Sequence, residues 1–180
     1  MNQGTIKTAL AELGASLSTG TVVEMLIVGG AAGLLTGELK GARTTGDVDA
    51  LQVLPPNEWD QLQDAAARVG VKKGLPANWL NRDDAGLFRE SLPVDWKSRC
   101  IDVGRFGKLQ VWAVGRLDLI AMKFYAGRPK DREDLVAMNV TSEEGQFVLR
   151  YLDAFEVSGA SANKGKIEMA RNTVENWSQT

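Results

Sequence analysis

Apolar side chains recur at helical intervals over residues 5–17 (TIKTALAELGASL), which predicts an amphipathic first helix. The pattern then shortens. Residues 24–28 (EMLIV) form an apolar run that stops at Gly29-Gly30, as expected of a buried strand ended by a tight turn. AAGLLTG at 31–37 predicts a short helix closed by Gly37. A glycine-rich polar loop, GELKGARTTG, leads to a second strand, Asp47-Val48-Asp49-Ala50-Leu51-Gln52-Val53-Leu54, which Pro55-Pro56 ends. Asn57 then begins a helix through about Val69.

Residues 71–98, rich in Pro, Trp, Asn and Asp, predict loops with about one helical turn. Residues 99–103 and 108–114 predict a hairpin with Gly104 and Gly107 at its turn. Residues 116–126 (RLDLIAMKFYA) form a strongly apolar helix. Pro129 suits the first turn of another, with Asp131, Glu133 and Asp134 near its positive end. Thr141-Ser142-Glu143-Glu144 is a capping box opening a helix through about Phe155. VSGASANKG at 157–165 predicts a linker to a last helix at about 166–177. The pattern is α+β: a small mixed sheet flanked by helices, with a helical C-terminal part. Residues 1–156 are expected to form one domain, and 157–180 a linker and terminal helix.

The chain has 180 residues and no histidine, and this absence narrows the chemistry most. Serine–histidine and cysteine–histidine catalysis are excluded, as are histidine-ligated zinc sites. A metal would be held by oxygen ligands, which points to magnesium or manganese. A net charge of −2 advertises no general affinity for nucleic acid. Cys100 stands alone in an apolar alternation, so it reads as a core thiol. Residues 1–20 lack the layout of a signal peptide and no apolar run would span a membrane, so a cytoplasmic location is expected. The glycosylation sequon at Asn139-Val140-Thr141 would then go unused.

The chemistry concentrates in residues 24–54. Asp47 and Asp49 alternate with Val48 and Ala50, so on a strand both carboxylates point to one face. Their mutual repulsion is relieved when a divalent cation sits between them, and a second can join with triphosphate oxygens. Gly29-Gly30, without Cβ atoms, lets the backbone approach a phosphate, with the amides and positive dipole end of the following helix aimed at it. The ordinary alternatives are a plain turn and a solvated strand edge. The five tryptophans (59, 79, 96, 112 and 177) read as core or surface anchors rather than base-stacking platforms.

In this order the residues resemble a known family. VGGAAGLLTGELKGARTTGDVDAL looks like the signature of the polymerase-β-like nucleotidyltransferase superfamily: a glycine pair opening a helix, then Asp-x-Asp on the next strand. The long gap from Gly30 to Asp47, with Arg43-Thr44 before the acids, is similar to its abortive-infection (AbiEii-type) branch. So is LDLIAMKFYAGRPKDREDL at 117–135, a helix with a lysine, then an arginine, then spaced aspartates. The resemblance implies a catalytic set of Asp47, Asp49, Lys123, Asp131 and Asp134, with Lys123 and Arg128 on the nucleotide phosphates. It further implies an NTP and magnesium or manganese as ligands, an RNA or protein acceptor, and an antitoxin protein as partner.

Several residues keep two readings. Lys123, a lone cation in an apolar helix, either snorkels to the surface or is aimed at an anion, and as a mostly exposed lysine would add little to folding. Asp131 and Asp134 share a helix face and either complete the site or serve the helix dipole. Arg43 either steadies the glycine-rich loop or touches phosphate, and Thr44 and Thr45 offer hydroxyl hydrogen bonds. For a third acidic residue, Asp102 (also a candidate metal ligand) and Asp95 are the candidates. Without one, the alternative is a non-catalytic nucleotide-binding module.

Overall fold

Asn2 caps the first helix, its side-chain oxygen accepting from the Thr5 amide at 2.8 Å. In a computed structural model of the chain, residues 1–82, 92, 95–157 and 164–177 are described. Their contacts divide them into two compact units. One holds the described residues of 1–86 and 100–114, the other those of 87–99 and 115–180.

In the first unit, α1 (Gln3–Ser16) buries Ile6, Leu10 and Leu13 against α2 (Gly29–Thr36), α3 (Trp59–Lys73) and the hairpin strands β4 (Ile101–Phe106) and β5 (Leu109–Ala113). With β1 (Val23–Val28), β2 (Val48–Leu54) and β3 (Leu80–Asn81), the hairpin makes a five-stranded mixed sheet of order β3-β2-β1-β5-β4. β1 lies at its centre, antiparallel to β2 and parallel to β5. Its pleat explains the burial. Met25 and Ile27 face Val53 and Ala50 across the β1–β2 ladder and all four are sealed in the core.

A bulge breaks this ladder. Leu26 pairs with Gln52 but Ile27 with Ala50, leaving Leu51 as an extra residue on β2. The strand thereby changes phase, so that Val48, Ala50 and Val53 all point into the core. α3 runs to Lys73, one turn beyond the sequence expectation. Lys72 and Lys73 fall in its last turn, where cations complement the helix dipole, and both pair with Glu12 of α1. Trp79 is completely buried and donates its indole N–H to the Ala66 carbonyl at 2.8 Å.

In the second unit, α4 (Arg116–Ala126) is buried from Asp118 to Tyr125. It packs against α5 (Pro129–Ala137), α6 (Ser142–Val157) and α7 (Lys164–Trp177). Edge-on ring contacts, Phe124–Trp177 at 5.5 Å and Tyr125–Phe155 at 5.1 Å, fasten it. α7 packs on both α4 and α6 within this unit. The capping box forms: the Glu144 amide donates to the Thr141 hydroxyl, and the Thr141 amide to the Glu144 carboxylate at 2.9 Å.

The α+β architecture with C-terminal helices agrees with the expectation. Three local differences have physical causes. α2 starts at Gly29, two residues earlier than Ala31, because glycine tolerates the junction. Gly104 lies beside a bulge within β4, leaving the turn to Gly107-Lys108. Within 71–98, a two-residue strand and a 3-10 turn (Trp96–Arg99) are found. The rest of that expectation, at 83–91, 93 and 94, and the centre of the linker, at 158–163, fall outside the described residues. No helix among those described is long and apolar enough to cross a membrane.

Candidate active site

The end of β1 delivers the chain to the first turn of α2, and no side chain caps that turn. Gly29 takes φ +68°, a left-handed conformation that strains any residue with a Cβ. A Cβ there would also lie 2.8 Å from Oδ2 of Asp49. Gly30 has ordinary backbone, but a Cβ on it would meet Oγ1 of Thr45 at 2.9 Å. Gly29 thus brings bare backbone against the Asp49 carboxylate, and Gly30 against the Thr45 hydroxyl.

Asp47 immediately precedes β2 and Asp49 is its second residue, opposite Val28 of β1. Val48 and Ala50 are wholly buried, whereas Asp47 and Asp49 are half-buried. Around Asp47 two buried polar side chains converge. The Thr45 hydroxyl donates to its Oδ1 and the Asn81 amide to its Oδ2, each at 3.4 Å. Asn81 also stands beside Asp49, its register partner in the parallel β2–β3 pair. Gly29, Gly30, Thr45, Asp47, Asp49 and Asn81 thus form one constellation in the first unit.

The remaining candidates have contacts of their own. The Arg43 guanidinium donates to the Thr44 carbonyl at 2.7 Å, a contact within the glycine-rich loop, and Thr44 is exposed. Asp102 does not join Asp47 and Asp49. Strand β4 is three inter-strand spacings from β2, about 14 Å, too far for carboxylates to share a cation. Asp102 is exposed there and accepts from the Gln110 amide at 2.7 Å. Asp95, in the second unit, pairs with Arg99. Cys100 is half-buried rather than a core thiol.

The second unit gathers Lys123, Asp131 and Asp134 with one another. Lys123 Nζ is 3.3 Å from Asp131 Oδ1 and 2.5 Å from Asp134 Oδ2, and the three residues are 4%, 4% and 1% exposed. Arg128, with an exposed side chain, adds a 2.8 Å hydrogen bond to Asp131. The expectation of a mostly exposed Lys123 is corrected: its ammonium is buried and occupied by two carboxylates. These contacts alone account for a lysine within an apolar helix.

The sequence model of one protein family, described as "Nucleotidyltransferase of unknown function (DUF6036)", matches residues 5–179. The chain belongs to this family. No curated protein and no solved structure matches it. A nucleotidyltransferase handles a nucleotide with its phosphates, and the glycine turn with its paired carboxylates has the chemistry for that. Magnesium or manganese fits the donor set, since Mg²⁺ is commonly held by one or two carboxylates, with water and substrate phosphates completing its shell. Asp47 and Asp49 would hold it. Among the described residues no three His, Cys, Asp or Glu side chains are grouped to hold a metal ion.

Sequence reading missed Asn81. A two-residue strand leaves no periodicity to detect, and a lone asparagine between Leu80 and Arg82 resembles any loop residue. It also missed Arg116, which grips the Glu144 carboxylate through Nε at 2.6 Å and the Met138 carbonyl at 2.8 Å.

Proposed function

We propose that this domain binds a nucleoside triphosphate with Mg²⁺ or Mn²⁺ and transfers its nucleotidyl group to a hydroxyl on RNA or protein. One observation carries the reading: the glycine turn that opens α2 lies directly against Asp49, with only 2.8 Å from a Cβ position at Gly29 to the carboxylate. Phosphate oxygens at that turn would meet uncapped backbone amides on one side and a carboxylate-held cation on the other. The cation would neutralise triphosphate charge. The acceptor oxygen attacks the α-phosphorus, the bond to the β-phosphate oxygen breaks, and pyrophosphate departs. The hydroxyl proton passes to solvent. Catalysis is then mainly alignment and charge neutralisation.

The AbiEii-type resemblance of the two motif blocks supports a narrower reading, a toxin whose partner is an antitoxin protein. The direct test is incubation of purified protein with labelled NTPs, Mg²⁺ and total RNA or protein extract. Metal-dependent label on an acceptor, absent from Asp47→Asn/Asp49→Asn, is expected. A second reading, nucleotide binding without transfer, is favoured by the distance of Asp102 from the pair, which leaves no third carboxylate beside them among the described residues. Tight nucleotide binding without labelled product would decide for it.

A further inference from the structure

We infer that Asn81 is a positioning residue of this site, and that its neutral amide makes cation binding depend on the nucleotide. The inference deepens the nucleotide-and-metal reading above and rests on it. Three observations meet at Asn81. It is a buried polar side chain, 7% exposed, at the end of a strand two residues long. Its amide donates to Asp47 Oδ2 at 3.4 Å, while Thr45 donates to the other oxygen, so neutral donors hold both sides of that carboxylate. It is also the register neighbour of Asp49 across a parallel pair, about 4.8 Å away along the hydrogen-bonding direction.

A carboxylate at that place would put three negative charges within one cation's reach. An amide leaves two. A divalent cation then gains less attraction and finds fewer anionic ligands, so its shell is completed by triphosphate oxygens. The cation therefore enters with the nucleotide and binds weakly without it. A further contact of the same amide, to the Asn78 carbonyl at 3.4 Å, ties the side chain to the turn before β3 and fixes its direction. That contact alone would make Asn81 a turn residue with no bearing on metal affinity, so affinity is what separates the two roles.

The experiment is calorimetric titration of the full chain with Mn²⁺ alone, then with Mn²⁺ complexes of the four α,β-methylene nucleoside triphosphates. The wild type should bind one such complex at least tenfold more tightly than Mn²⁺ alone. Asn81→Asp should tighten binding of Mn²⁺ alone about tenfold or more. Asn81→Ser, which shortens the donor, should weaken the complex about tenfold with unchanged far-ultraviolet circular dichroism. A folded Asn81→Asp protein with wild-type affinity for Mn²⁺ alone, or a folded Asn81→Ser protein with wild-type affinity for the complex, would overturn the inference while the functional reading stands. Wild-type protein that binds none of the four complexes would bring down that reading, and this inference with it.

Discussion

Lys123 Nζ lies 2.5 Å from Asp134 Oδ2 inside the helical unit, one buried ammonium shared with Asp131. Removing it would take the buried ammonium from both carboxylates, although Asp131 keeps its hydrogen bond from Arg128. Lys123→Ala should therefore cost about 3–5 kcal/mol in urea denaturation, as breaking a buried pair typically does. A cost below about 1 kcal/mol would mean that water reaches the cluster and frees the lysine for other work.

Gly29 and Gly37 share a left-handed backbone, φ +68° and +82°, but among the described residues a Cβ would meet a neighbour at Gly29 and none at Gly37. Alanine at either position should cost about 1–2 kcal/mol from the backbone alone. Gly29→Ala should in addition push Asp49 aside and weaken Mg²⁺-NTP binding at least tenfold, while Gly37→Ala leaves binding unchanged. Equal affinities for the two variants would show that the approach to Asp49 has no bearing on the nucleotide.

Mg²⁺ together with an NTP should raise the melting temperature, because a ligand that binds only the native state stabilises it by mass action. At a hundredfold excess over Kd the gain is about 2.7 kcal/mol. Asp47→Asn/Asp49→Asn should abolish that rise and, with Val48 and Ala50 still buried, keep the fold. A full response from the double variant would remove both carboxylates from the site.

Burial alone would raise the Glu144 carboxyl, but the Arg116 guanidinium and the Thr141 backbone amide outweigh it and hold it below the ordinary 4.5. A carboxyl lowered by folding stabilises the native state above its unfolded pKa, and the contribution fades as pH falls through the folded value. Glu12, held low by Lys72 and Lys73, and Asp95, held low by Arg99, titrate in the same acid region. The informative comparison is thus wild type against Glu144→Gln. The variant should be less stable at pH 7 by roughly 1 kcal/mol, the scale of a partly exposed ion pair, with the gap closing as pH falls below the ordinary 4.5. A constant gap across that range would exclude Glu144 as the titrating group.

The extended elements were legible because local pattern decided them. EMLIV ends at a glycine pair whatever surrounds it, and the Thr141–Glu144 box closes on itself through its own side chains. What sequence could not show depended on partners distant in the chain. The extra residue at Leu51 exists only relative to the β1 ladder, and without it strict alternation would place Val53 on the same side as Asp49. Lys123 announced itself as a cation in an apolar helix, but its partners emerge only when α5 folds back on α4. Asn81 reaches the site through pairing with a strand some thirty residues earlier, at Asp49.

The central place of β1 has a consequence for how the chain is made. Its first partner, β2, is complete by Leu54, whereas its second, β5, ends at Ala113. Once Asn81 has been added, every candidate-site residue from Gly29 to Asn81 is present in the nascent chain, yet one edge of β1 still has no ladder. An apolar strand with an open edge is a template for pairing with other chains. Translation pauses before residue 113, or nascent chains truncated there, should therefore yield aggregates rather than a smaller working domain.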